Sequence, residues 1–307
     1  MADTLPSRPG PIGFRLAATG AEGLDWPRLE ATWALAGELG TFDAGWMSDH
    51  LSDASRERGG AGFESLTSAA ALAHLVPNAW VGIAVVAATF RHPAVLAKAA
   101  TVLDHATRGR FILGIGAGWH VGEHEAFGID LPPLPERYDR FESALRVLTA
   151  MFSPEAATDE GVDLDDPSVP LRGATNLPSP TRPGGPPIWL GGQRRRGIAL
   201  AARYASGWPM PGNRPGDVAY FADRRDAIRA ALDAEGRDPD DFDFAAQIAC
   251  GPTTADRRLA LEQGIAFRKA GATHAIIGIR AADAPDGLRA MSAEVAEPLR
   301  DRWEMPA

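Results

Sequence analysis

The sequence predicts an α/β chain folded as a (β/α)8 TIM barrel, and three observations lead there. Eight short apolar runs alternate strictly with eight longer amphipathic stretches along the 307 residues, which is the pattern of repeated βα units. Polar and aromatic residues collect immediately after those runs, where a parallel barrel places its working groups. The 45% hydrophobic content supplies one large core, so the whole of residues 1–307 reads as a single barrel domain with no boundary inside it.

In chain order, the run Gly13–Ala18 precedes a helical pattern near Trp26–Leu39, and Ala44–Ser48 precedes Glu64–Leu75. Trp80–Ala87 leads to Ala94–His105, and Phe111–Gly116 to Leu134–Phe152. Pro187–Gly191 is followed by Arg194–Tyr204, and Gly207–Met210, the shortest run, by Asp217–Ala234. The last two units pair Phe242–Ala249 with Ala255–Ala270 and His274–Ile279 with Ala284–Arg300. One segment breaks the rhythm. Residues 153–186 are rich in proline and acid and poor in apolar positions, so they are expected to form an inserted, lid-like excursion above the barrel after the fourth predicted helix.

Composition narrows the function. A net charge of -9 argues against a nucleic-acid footprint and against a basic membrane-docking surface. No apolar run approaches the roughly 20 residues of a membrane span. The N-terminal MADTLPSRPGPIG lacks a secretory pattern, and a single cysteine, Cys250, fits a reducing cytoplasm. Cys250 itself reads as a core filler. These features point to a cytoplasmic protein acting on small molecules.

The strand ends carry the chemistry. Asp49-His50 offers a carboxylate and an imidazole after the second strand, and histidine titrates near neutrality, so it can move a proton. Alternating glycines Gly114, Gly116 and Gly118 carry the fourth strand out to Trp119-His120; glycine there lets backbone approach a flat ligand. The run is no dinucleotide fingerprint, because GxGxxG fails at Trp119 or Val121 and the run follows the fourth strand instead of the first. His120-Val121-Gly122-Glu123-His124 matches HxxEH, but Gly122 and the following Phe127-Gly128 deny it the regular helix a zinc site needs. No metal is expected, and Glu123 and His124 read as turn or lid residues. After the fifth strand, Gly191-Gly192-Gln193 opens a basic helix whose N-terminus suits a phosphate, with Arg196 the arginine expected to matter.

Four stretches taken together resemble the bacterial luciferase-like monooxygenase superfamily, in the branch that uses the deazaflavin coenzyme F420. They are FDAGWMSDHL (42–51), TFRHPAVLAKAATVLDHATRGRFILGIGAGWH (89–120), ERYDRFESALRVL (136–148) and PPIWLGGQRRRGIALAARYASGW (186–208). The resemblance implies a barrel oxidoreductase that moves a hydride between F420 and a small organic substrate, with His50 handling the proton and Asp49 beside it. It further implies a cofactor seat formed by Asp49, Ala84, Val85, Ala87, Gly116, Ala117, Gly118, Trp119, His120, Gly191, Gly192, Gln193 and Arg196. A non-proline cis peptide at Ala84-Val85 and a homodimer also follow from it. Two alternatives stay open: an FMN-dependent monooxygenase that uses dioxygen, and a non-catalytic binding homologue. Two departures are plain. Trp119 stands where sugar-phosphate dehydrogenases of this branch carry a glutamate, and one added residue in Gly40-Thr41-Phe42-Asp43 leaves open whether the register of the second strand is shifted.

Overall fold

The computed structural model describes residues 8–17, 25–52 and 62–304. The strands are β1 (Ile12–Ala17), β2 (Ala44–Met47), β3 (Trp80–Ala87), β4 (Phe111–Gly116), β5 (Val162–Leu164), β6 (Leu171–Ala174), β7 (Ile188–Gly191), β8 (Gly207–Pro209), β9 (Asp243–Ala249) and β10 (His274–Arg280). Eight of them close into a parallel barrel in the order β1-β10-β9-β8-β7-β4-β3-β2, leaving β5 and β6 as a separate antiparallel pair. The helices are α1 (Trp26–Leu39), α2 (Ser65–Leu72), α3 (Pro93–Ala106), α4 (Val121–Phe127), α5 (Leu134–Met151), α6 (Arg195–Tyr204), α7 (Val218–Ala234), α8 (Thr254–Lys269), α9 (Asp286–Met291) and α10 (Glu297–Glu304). Each barrel strand falls on a predicted run to within one or two residues, although Ala18 lies outside the described residues. The predicted last helix is interrupted by a wider turn at Ser292–Ala296, where the Ser292 and Thr41 hydroxyls bond at 2.7 Å.

Local chemistry fixes the helix ends. Asp25 caps α1 by accepting from the Arg28 N–H at 2.8 Å, and Gly40 ends it at a φ of 63°. Thr253 and Asp256 form a reciprocal capping box at the start of α8. Strand β2 pairs without interruption with β1 and with β3.

Tryptophans fill the barrel. Trp46, Trp80 and Trp189 pack with Ala44, Ile112, Ala245 and Ile276 in the interior, and the Trp46 and Trp189 rings lie 4.9 Å apart. Glycines in the wall make room for them. A Cβ on Gly13 would stand 2.5 Å from Trp46 Nε1, and one on Gly207 would stand 2.5 Å from Trp189 Nε1. Trp46 Nε1 donates to His274 Nε2 at 2.8 Å, so the proton of that ring sits on Nδ1 and is donated to the Gly10 carbonyl at 2.6 Å. Burial holds the His274 imidazole down at about 4. This layer seals the barrel and forms the floor of whatever lies above it.

The excursion at 153–186 corrects an expectation. It lies at the opposite end of the barrel from the cavity described below and contributes no lining to it, so it is not a lid. Asp166 binds Ser143 and Arg146 of α5, and Asn176 donates to the Met151 carbonyl at the end of that helix. Burial would raise the Asp166 carboxyl, but the Ser143 hydroxyl, two backbone N–H groups and Arg146 hold it down at about 2. Further along, the Arg182 guanidinium sits 5.2 Å from the ring of Trp80, the first residue of β3. Topology explains the placement. Helix α5 runs back against the strand direction, so the chain leaves it at the end where strands begin, and there it must wait for β7. The segment also holds more order than its composition promised, because β5 and β6 pair with each other and Leu171 is buried.

Candidate active site

Side chains alternate along each strand, so the residues two beyond the tryptophan layer form the next layer up. Arg15, Ser48, Ala84, Gly116, Gly191 and Pro209 occupy that level and line a cavity of about 1100 Å³ at the C-terminal end of the barrel. All fourteen residues named above for chemistry or cofactor contact border this one cavity. Its volume exceeds that of an ordinary single-ligand pocket, which leaves room for a cofactor and a substrate together.

Asp49 is buried, and both of its oxygens are engaged. Arg91 donates to Oδ2 and to Oδ1 at 2.8 Å each, the Ser65 hydroxyl donates to Oδ1 at 2.6 Å, and the Ala87 N–H donates to Oδ2 at 2.9 Å. Glu64 binds the other side of Arg91. Burial acts to lower the Arg91 guanidinium, but the two carboxylates outweigh it and raise it. Five residues from three elements thereby lock the end of β3 to the loop after β2.

His50 has a different partner. Its Nδ1 lies 2.8 Å from Glu123 Oε2, while Glu123 Oε1 accepts the N–H groups of Leu51 at 2.6 Å and Ser52 at 3.1 Å. With Oε1 taken by two backbone donors, Oε2 accepts the Nδ1–H of His50, and the ring's Nε2 is left outside this contact. Both residues line the cavity, but the Glu123 side chain is 1% exposed and that of His50 20%, so the histidine is the more open of the two.

Glu123 and His124 lie on α4, buried, and are neither turn nor lid residues. His120 caps this short helix, its Nδ1 accepting the Glu123 N–H at 3.0 Å, and Gly128 closes it at a φ of 66°. His124 donates from Nδ1 to the His120 carbonyl at 2.7 Å and accepts the Thr89 hydroxyl on Nε2, also at 2.7 Å. Both histidines are therefore occupied in building the segment. Among the described residues, no group of three histidine, cysteine or acidic side chains could hold a metal.

The glycine run works differently from its first reading. A Cβ on Gly114 would lie 2.0 Å from the Ile83 carbonyl oxygen. On Gly116 and Gly191 it would lie 3.0 and 3.1 Å from Val85 Cγ2. The space these glycines leave is filled by β3, whose pairing with β4 slips between Ile83 and Val86 and whose Ala84-Val85 peptide is cis. Gly118, at a φ of 82°, then turns the chain, and Trp119 stands 66% exposed at the mouth with its ring 5.9 Å from that of His50.

Across the cavity, Gly192 touches Gly197 so closely that a Cβ would stand 2.8 Å from the Gly197 Cα, which seats α6 directly on the turn. The N-cap residue of α6, Arg194, makes no side-chain capping bond to its first N–H groups. An uncapped helix start beside Gln193 suits the phosphate of a nucleotide-like cofactor. Arg196 borders this turn, but it is paired with Asp139 at 2.7 Å and Glu142 at 3.1 Å, so its charge is already matched.

The luciferase-like monooxygenase family profile matches residues 13–302, nearly the whole chain. The chain belongs to that family. It is 37% identical over 160 residues to a phthiodiolone/phenolphthiodiolone dimycocerosates ketoreductase of Mycobacterium sp. (strain JLS), covering 52% of this chain and 40% of the relative. It is 29% identical over 215 residues to an F420-dependent glucose-6-phosphate dehydrogenase of Microbacterium testaceum (strain StLB037), covering 70% of this chain and 61% of the relative. The chain thus spans about half the length of these relatives. Among solved structures, an F420-dependent secondary alcohol dehydrogenase in complex with an F420-acetone adduct superposes with a TM-score of 0.75 at 16% identity, covering 97% of this chain and all of that one. This likeness establishes the shared barrel. Among the described residues, no helix is long and apolar enough to cross a membrane.

Proposed function

We propose that this family member is an F420-dependent oxidoreductase that moves a hydride between the deazaflavin and a small organic substrate. The observation that carries the reading is His50, held by the buried Glu123 at the wall of a two-ligand cavity whose far side ends in an uncapped helix. The two sequence relatives support it, since a ketoreductase and an F420-dependent dehydrogenase are both hydride-moving enzymes. When bound, F420 supplies a two-electron hydride donor or acceptor, and the protein supplies position and a proton.

The ring would lie against Ala84, Val85, Ala87, Gly116 and Ala117, and the phosphate tail at Gly192, Gln193 and the start of α6. His50 would give or take the proton through Nε2, with Glu123 stabilising the charged imidazole. Asp49 is a positioning group, because its oxygens are consumed by Arg91, Ser65 and Ala87. Trp119 would cover the mouth and limit water. The same reading takes the protein as a cytoplasmic homodimer.

A second reading is favoured by the family description itself: reduced FMN used with dioxygen. Titrating purified protein with F420 and with FMN, while recording cofactor fluorescence and oxygen uptake, separates the two. The proposal expects F420 fluorescence to be perturbed at micromolar concentration and no oxygen uptake with reduced F420. Tight FMN binding with oxygen consumption, or binding of neither cofactor, overturns it.

A further inference from the structure

One cationic side chain in the barrel wall stands apart from the residues that would hold the cofactor. Arg15 projects from β1 into the layer above the tryptophans and lines the cavity. Its Nε is buried and meets no hydrogen-bond acceptor among the described residues. Two other lining arginines are satisfied, Arg137 donating to the Pro132 and Gly118 carbonyls and Arg196 ion-paired, and a third, Arg194, is exposed at the start of α6. The guanidinium of Arg15 is flanked by two glycines. A Cβ on Gly212 would stand 3.2 Å from Nη1, and one on Gly278 would stand 3.8 Å from Nη2. Burial lowers this guanidinium to about 10, which still leaves it charged at neutral pH. A half-buried charge without a counter-charge among the described residues is costly to the fold, and the molecule tolerates it here.

Its location matters as much as its isolation. In the closed order β1-β10-β9-β8-β7-β4-β3-β2, β1 stands four strands from β7 in either direction. The backbone of Arg15 therefore stands across the barrel from the phosphate turn, while its guanidinium reaches over Gly278 of β10 to Gly212 after β8, on strands other than the β3, β4 and β7 seat proposed for the cofactor. Met210, Gly212 and Asn213, which follow β8, also line the cavity.

We infer that Arg15 is the recognition group of the substrate half of the cavity and that the substrate carries a carboxylate. A planar guanidinium matches a planar carboxylate through two parallel hydrogen bonds, and its single positive charge neutralises a single negative one. A phosphate dianion would ask for a second cation, whereas the other lining arginines, Arg137, Arg194 and Arg196, belong to the segments that follow β4 and β7. The inference deepens the proposed function, since it rests on this cavity being the site of reaction.

The test uses benzoate as the carboxylate probe, benzamide as its neutral analogue and phenyl phosphate as the dianion. Each is titrated calorimetrically into wild type and into the Arg15→Met and Arg15→Lys proteins, with and without F420. Wild type is expected to bind benzoate at least about tenfold more tightly than benzamide, Arg15→Met to lose that preference, and Arg15→Lys to keep part of it. Arg15→Met should also unfold at an equal or higher temperature, since an orphan charge is gone, and should perturb F420 fluorescence as wild type does. Equal binding of benzoate and benzamide, or benzoate preference surviving in Arg15→Met, overturns the inference. So does tighter binding of phenyl phosphate, or loss of F420 binding in Arg15→Met, which would make Arg15 a cofactor residue. If wild type ignores F420 yet discriminates benzoate through Arg15, the cofactor reading fails and this one stands.

Discussion

Asp49 and His50 are neighbours in sequence, yet the structure gives them opposite duties. The carboxylate of Asp49 takes four hydrogen bonds and is sealed away, whereas His50 keeps an edge at the cavity. Their position after the second strand was enough to single out both. Their partners were not legible, because Glu123 lies 73 residues from His50 and Arg91 42 from Asp49, and only closure of the barrel brings them together. Asp49→Asn should therefore act on stability first. It leaves Arg91 half-paired in a buried setting, and chemical denaturation should show a loss of about 3–5 kcal/mol.

At the scale of elements, alternation of apolar runs and helical patterns was sufficient to locate all eight barrel strands. Helix α4 escaped, being seven residues long with three ionisable side chains and a glycine, too short for periodicity to register. A signal was present in retrospect: His120 and Glu123 stand three apart, the spacing at which a cap side chain accepts the N–H of the third helical residue. The glycine run was recognised as special for a reason the structure revises, since β3 fills the room that the glycines leave. Gly114→Ala tests this. Its new methyl would collide with the Ile83 carbonyl, so the variant should lose about 1–3 kcal/mol or more of stability in denaturant titration. A purely ligand-facing glycine would lose cofactor affinity and keep its stability.

For the whole molecule, barrel geometry determines which end does chemistry, and the sequence could not say at which end residues 153–186 would pack. Their proline-rich composition suggested a loop over the site, but the direction of α5 delivers them to the opposite end. The same geometry buries His274 in the floor as a neutral donor-acceptor bridge between Trp46 and Gly10. Because its folded value of about 4 lies below the ordinary 6.5, the unfolded chain takes up the proton first as pH falls. Its stabilisation is full above pH 6.5 and is lost toward pH 4, by about 3 kcal/mol. Asp243, which burial pushes up to about 6, works in the opposite sense between about 4 and 6, so wild type alone shows a muted trend. His274→Gln can keep both hydrogen bonds without titrating. Its unfolding temperature, compared with wild type between pH 4 and 7, should therefore fall less on acidification.

All three scales meet in the claim that His50, backed by Glu123, handles the proton in a deazaflavin-dependent reaction. The most direct test is single-turnover oxidation of reduced F420 by a ketone that the wild-type protein reduces, repeated with His50→Ala beside a fluorescence titration of the same cofactor. The account predicts an unchanged cofactor dissociation constant and a rate lower by about 10²-fold or more. Wild-type turnover in His50→Ala with normal cofactor binding would contradict it.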